Sequence, residues 1–161
     1  YVPNFELNNI FYAGNMGRPQ NLSAFLRYFQ KHFPSDWKLD IYGAGQEFNK
    51  LSEFSNDNIR INNYLERKEL ENLTKEIPFA LICLDYEITF EGFPGKTFDY
   101  LNMNKVLVNF SNPNSVVSKL IDKYGLGFNI DLKKPESLRG KLEKMNNSNE
   151  IGKILENIRK Y

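Results

Sequence analysis

Six short runs rich in apolar, β-branched or aromatic residues, NIFYAG, WKLDIYG, NIRINNYL, FALICL, KVLVNF and GLGFNI, recur along the chain, each followed by a turn signal and then a helix-like pattern. This alternation constrains the fold more than any other feature. Strand, helix, strand connections place successive strands parallel through right-handed crossovers. The reading is an α/β fold, a doubly wound (Rossmann-like) parallel sheet of about six strands with helices on both faces. The helical segments fit. In RPQNLSAFLRYFQKHF, Leu22, Phe25, Leu26 and Phe29 fall at helical spacing, and in ERKELENLTKEI, Leu70 and Leu73 are expected on one apolar face. NSVVSKLIDKYG ends at Gly125 as a capped helix should. A last helix, roughly 150–160, carries Ile151, Ile154, Leu155 and Ile158 on one side, which is expected to be partly uncovered.

At 161 residues the chain suffices for one domain, read as 1–161. It opens on Tyr1 and is expected to be part of a longer protein. With 21 basic and 20 acidic side chains, net charge favours neither nucleic acid nor an anionic membrane, so any bound anion needs a local site. Cys83, inside FALICL, is expected in the core. No apolar stretch approaches the ~20 residues that span a bilayer, and the expected location is the cytoplasm.

In such sheets ligands bind beyond the carboxyl ends of the strands, which directs attention to three loops. YAGNMGRPQN follows the first run: Gly14 and Gly17 let the backbone turn tightly, a helix starting near Pro19 would aim free N–H groups at the loop, and Arg18 adds a cation suited to phosphate. YGAGQE after the second run reads as a tight strand-to-helix turn. The third, EGFPGKTFDYLNMNKVLVNF, places Gly92 and Gly95 around Pro94, Lys96 and Thr97 in the first turn of a helix, and Glu91 and Asp99 seven residues apart. A lysine in that turn opposes the helix dipole and calls for an anion, an acid or solvent to account for it. The carboxylates could accept from sugar hydroxyls. The chain has neither G-x-G-x-x-G nor a Walker loop, and LDYE is too weak a carboxylate pair to argue for a metal. His32 falls on the first helix, away from these loops.

Together these loops resemble the C-terminal, donor-binding half of retaining GT-B glycosyltransferases of the family 4 class (group 1), over about residues 9–138. The most specific part is EGFPGKTFDYLNMNKVLVNF, similar to an E-x7-E element running into a P-x-K-x-x-E-Y-L helix and a strand. The resemblance implies that Glu91 lies at the donor sugar and, with Lys96, near the reacting centre. It implies that Asp99 binds ribose hydroxyls and that Gly92, Phe93, Gly95 and Thr97 surround the sugar and diphosphate. Gly14, Asn15, Gly17 and Arg18 belong to its first loop, and Tyr64 and Leu65 lie beside the base. The sequence departs where many members carry an arginine and a lysine, here Asn15 and Gln20. Asp99 replaces the usual glutamate and Asn63 a frequent glycine.

The resemblance implies transfer of a sugar, without cofactor or metal, from a nucleoside diphosphate sugar, with uridine the expected base, to a hydroxyl with retention, in bacterial surface polysaccharide or glycoconjugate assembly. A saccharide, lipid-linked or protein acceptor would be held by an N-terminal domain beyond this chain, and the isolated domain is expected to be inactive. The full-length protein would sit at the inner face of the cell membrane by peripheral association, and nucleic acid is not an expected partner. A non-catalytic nucleotide-sugar module or adaptor is the alternative. A response-regulator-like domain would need an acidic cluster and a downstream lysine that the loops lack.

Overall fold

A computed structural model describes residues 8–89 and 95–161. Six strands, β1 (Asn9–Asn15), β2 (Lys38–Ala44), β3 (Ile59–Asn62), β4 (Phe79–Cys83), β5 (Val106–Phe110) and β6 (Gly127–Ile130), form one sheet ordered β3-β2-β1-β4-β5-β6. Every pairing is parallel. All six apolar runs became strands, because residues shielded on both faces read as near-continuous apolar stretches. β4 and β5 are buried at every position.

Helices cover both faces. On one side, α1 (Leu22–His32) packs an aromatic stripe on the sheet, with the Phe25 ring 5.0 Å from that of Phe110 on β5. On the other, α4 (Lys96–Asn102) sets Tyr100 edge-on against Phe11 of β1, 5.6 Å between centroids. Between them come α2 (Phe48–Ser52) and α3 (Arg67–Leu73), then α5 (Val116–Tyr124), α6 (Leu138–Met145) and α7 (Ser148–Lys160). Gly125 closes α5 at φ 63°, its N–H bonding to Ile121 O, as expected of a left-handed cap. Cys83 is buried.

Three expectations fail. The face of α7 expected to be partly uncovered is not: Ile151, Ile154, Leu155 and Ile158 are all buried, because α7 folds back onto α6 and β5. Leu73 does not share the buried face of Leu70; it is 57% exposed, because α3 is only seven residues long and Leu73 is its last residue. The helix expected from Pro19 begins at Leu22, behind a 3-10 turn over Arg18–Gln20 and an Asn21 held at φ 45°.

β1 and β4 pair only at Ile10 with Phe79 and Phe11 with Ala80, then part. The next residue of β1 whose amide and carbonyl face β4 is Ala13, and side chains of α4 take over there. Tyr100 Oη accepts from Ala13 N at 3.0 Å and lies 3.4 Å from Ala13 O, and Lys96 Nζ donates to the same carbonyl at 3.2 Å. Buried backbone groups must be satisfied. Here α4 does what a strand would have done, and the sheet opens at the point where its strand order reverses.

Candidate functional site at the carboxyl ends of β1 to β3

A cavity of about 330 Å³ opens at this edge, lined by Gly14 from β1, Tyr42 from β2, Tyr64, Leu65 and Arg67 after β3, and Gly95, Lys96, Asp99, Tyr100 and Met103 from the α4 region. Its size is at the low end of small-ligand sites. The residues singled out in the sequence as Gly14, Tyr64, Leu65, Gly95, Lys96 and Asp99 meet here from three separated segments.

Lys96 is the electrostatic centre of one wall. Its ammonium bonds to Ala13 O and lies 4.7 Å from the centroid of the Tyr12 ring, a cation held over an aromatic face. Burial is the main influence on its pKa and lowers it from the ordinary lysine value; the Asp99 carboxylate works in the opposite direction. Among the described residues, Ala13 O is the one hydrogen-bond acceptor for this ammonium. Gly14 makes the approach feasible: its φ is 153°, and a Cβ there would run into the Lys96 ammonium. Tyr12 Oη donates to Asn15 O at 2.6 Å and pins the end of β1, while burial pushes the Tyr12 and Tyr100 hydroxyls far above their usual range.

One turn along α4 from Lys96, Asp99 is exposed and 3.8 Å from Nη1 of Arg67 on α3, with Arg67 Nε bonded to Glu71 at 2.8 Å. Arg67 escaped the sequence reading; its only signal was a basic residue two positions beyond Leu65. Tyr42, Leu70, Tyr100 and Met103 add an apolar floor and were likewise not singled out. Tyr64 is 66% exposed at the rim.

The first loop departs from expectation. The N–H of Gly17 bonds to the side chain of Gln20 at 3.0 Å, and that of Met16 to Ala44 O at 2.9 Å, so neither donor is presented to a ligand. Gly17 has an ordinary φ of −107°. Arg18 is exposed, and it and Asn15 lie outside the cavity lining. The 3-10 turn is sewn instead to the end of β4, with Asp85 N bonding to Pro19 O at 2.8 Å and Asn21 Nδ2 to Asp85 Oδ2 at 3.0 Å. Asn63, where a glycine is frequent, has a negative φ, so no glycine is needed there. Thr97 is fully buried rather than lining the cavity, and its hydroxyl has no hydrogen-bond partner among the described residues. Glu91, Gly92 and Phe93 lie outside the described residues. Among the described residues no group of three or more His, Cys, Asp or Glu could hold a metal ion, and no helix is long and apolar enough to cross a membrane.

No family model and no curated protein matches the chain. Solved structures do. The catalytic domain of cholesterol-alpha-glucosyltransferase from Helicobacter pylori aligns with a TM-score of 0.70 at 15% identity, covering 98% of this chain and 96% of that one. The C-terminal domain of a glycosyl transferase group 1 family protein (LpcC) from Francisella tularensis aligns at TM-score 0.62 and 12% identity over 94% and 82%. A mutant of S. aureus TarM, in complex with Fondaparinux, alpha-GlcNAc-glycerol and UDP, aligns at 0.68 and 17% over 99% of this chain but 34% of its own. The chain thus spans nearly all of a single-domain structure and about a third of a longer enzyme. It has the fold of a GT-B glycosyltransferase domain, an all-parallel Rossmann-like sheet.

Proposed function

We propose that the chain is the donor-binding domain of a retaining glycosyltransferase, that it holds a uridine diphosphate sugar, and that it does so without a metal ion. The observation that carries this reading is the convergence of Lys96, Gly14, Asp99, Tyr64 and Leu65 on one cavity. A base fits against Tyr64 and Leu65, ribose hydroxyls donate to Asp99, and the diphosphate extends over Gly14 towards Lys96. As the glycosidic bond breaks, negative charge grows on the departing diphosphate. An ammonium already fixed by Ala13 O and the Tyr12 ring stabilises that charge without reorganising, which favours the transition state over the ground state. With the leaving group held, an acceptor hydroxyl attacks from the face being vacated, which gives retention, and Glu91 attends the donor sugar. The acceptor, a saccharide, lipid-linked or protein hydroxyl, comes from a domain beyond this chain, and assembly of bacterial surface glycans is the setting proposed.

The test is calorimetric titration of UDP into the 161-residue chain in the presence of a chelator. Weak binding that survives chelation is expected; binding that appears only with magnesium or manganese would overturn the metal-free reading. A non-catalytic nucleotide-sugar module is favoured by one observation, the loss of the Gly17 amide to Gln20, which leaves fewer donors for the leaving group. Acceptor-dependent turnover by the full-length protein excludes it.

A further inference from the structure

Arg67 stands where the energetics of its own helix argue against it. It is the first residue of α3, where a cation opposes the positive end of the helix dipole. Its bond to Glu71 one turn on runs basic to acidic along the chain, the weaker orientation for such a pair. Both side chains are about half exposed, so the pair adds next to nothing to stability. What the position offers is reach. Nη1 lies 3.8 Å from Asp99 Oδ1 on α4, at the lining of a cavity to which both residues contribute, while Nε stays anchored to Glu71.

A carboxylate as exposed as that of Asp99 wanders among rotamers, and ordering it when a ligand arrives costs side-chain entropy. A second point of attachment removes part of that cost. We propose that Arg67 is a positioning residue for the nucleoside end of the site: anchored by Glu71, it holds one oxygen of Asp99 from the α3 wall so that the other faces the sugar hydroxyls, and it thereby selects ribose over deoxyribose. The inference rests on the donor-binding reading above. It assigns to Arg67 a part in choosing among nucleotides and not merely in attracting them, for a cation acting only through its charge would favour every uridine diphosphate alike.

The experiment is calorimetric titration of the 161-residue chain with UDP and with 2′,3′-dideoxyuridine diphosphate. The unaltered chain is expected to prefer UDP by about tenfold, the size of one good hydrogen bond. Arg67→Met reduces the preference to about twofold or less with an unchanged melting temperature, and Arg67→Lys, which restores the cation, recovers part of it. In an Asp99→Ala background Arg67→Met has no further effect on the preference, since the interaction it serves is gone. An Arg67→Met variant that weakens both ligands but keeps the original ratio overturns the proposal, as does a fall in ratio that persists in the Asp99→Ala background. If the unaltered chain binds both ligands equally, this inference falls together with the contact of Asp99 to ribose, while nucleotide binding itself stands; if it binds neither, the donor-binding reading falls as well.

Discussion

Lys96 and Lys105 flank the same helix, yet they serve opposite ends of the sheet. Lys105 sits at the amino edge, just before β5, 5% exposed, and its ammonium donates to Thr74 O at 2.6 Å and Ile77 O at 2.8 Å, tying the turn between α3 and β4 to the sheet. Burial brings its pKa down to about 8. Lys96 stands at the carboxyl edge with, among the described residues, one carbonyl and one aromatic face for partners and an open cavity beside it. Both are withdrawn from water and both have a lowered pKa. They differ in what else surrounds the charge: at Lys105 two strong acceptors close the account, whereas at Lys96 a single carbonyl accepts among the described residues and a cavity opens alongside. A perturbed lysine therefore marks a candidate site only where its partners leave room.

The largest effect expected is at the amino edge. Lys105→Ala leaves two carbonyls of the α3–β4 turn without their donor and opens a void, and should cost about 2–4 kcal/mol in urea unfolding. UDP affinity of the molecules that remain folded should not change. Equal loss of stability from Lys96→Ala would erase the distinction. Next is Gly14→Ala, which combines a φ of 153° with a methyl group in the place of the Lys96 ammonium. It should cost about 1–3 kcal/mol of stability and abolish measurable UDP binding. Retained affinity would mean that Lys96 does not need this seat.

Lys96→Ala should weaken UDP binding about tenfold while shifting stability by less than about 0.5 kcal/mol. A variant with unaltered affinity would assign the lysine to the fold alone. The smallest effect expected concerns pH. The Lys105 pKa falls from 10.5 unfolded to about 8 folded, so between these values the unfolded chain binds more protons and stability rises with pH. The neutral amine keeps two donors for its two carbonyls. Relative to Lys105→Met, which cancels the titration of the tyrosines, the unaltered chain should gain about 1 kcal/mol from pH 8 to 9.5. A flat difference would show that its bonds to the carbonyls, and not desolvation, govern the charge.

The fold was legible because burial on both faces writes itself into the sequence as apolar runs, and Gly125 announced the end of α5. The cavity lining was legible where a residue contributes its own side chain or its lack of one, as with Lys96, Asp99 and Gly14. It was illegible where pairing across the chain decides the outcome. Nothing local to Gly17 tells that Gln20 will take its amide, and nothing local to Arg67 tells that α4 will bring Asp99 opposite. The same holds for α7, whose apolar face is covered through tertiary contacts with α6 and β5.

The replacement of a strand ladder by Tyr100 and Lys96 at Ala13 has a mechanical side. α4 is a rigid rod about 10 Å long, and one flank of it bears Lys96, Asp99 and Tyr100, so the groups proposed to grip the two ends of a nucleotide belong to a single body, bonded to Ala13 of β1 and packed on β4 and β5. A tilt that brings Asp99 closer to a ribose must swing Lys96 relative to the diphosphate. Fragments of the donor tested separately should therefore fail to add up to the whole: each half would set the lever for the other.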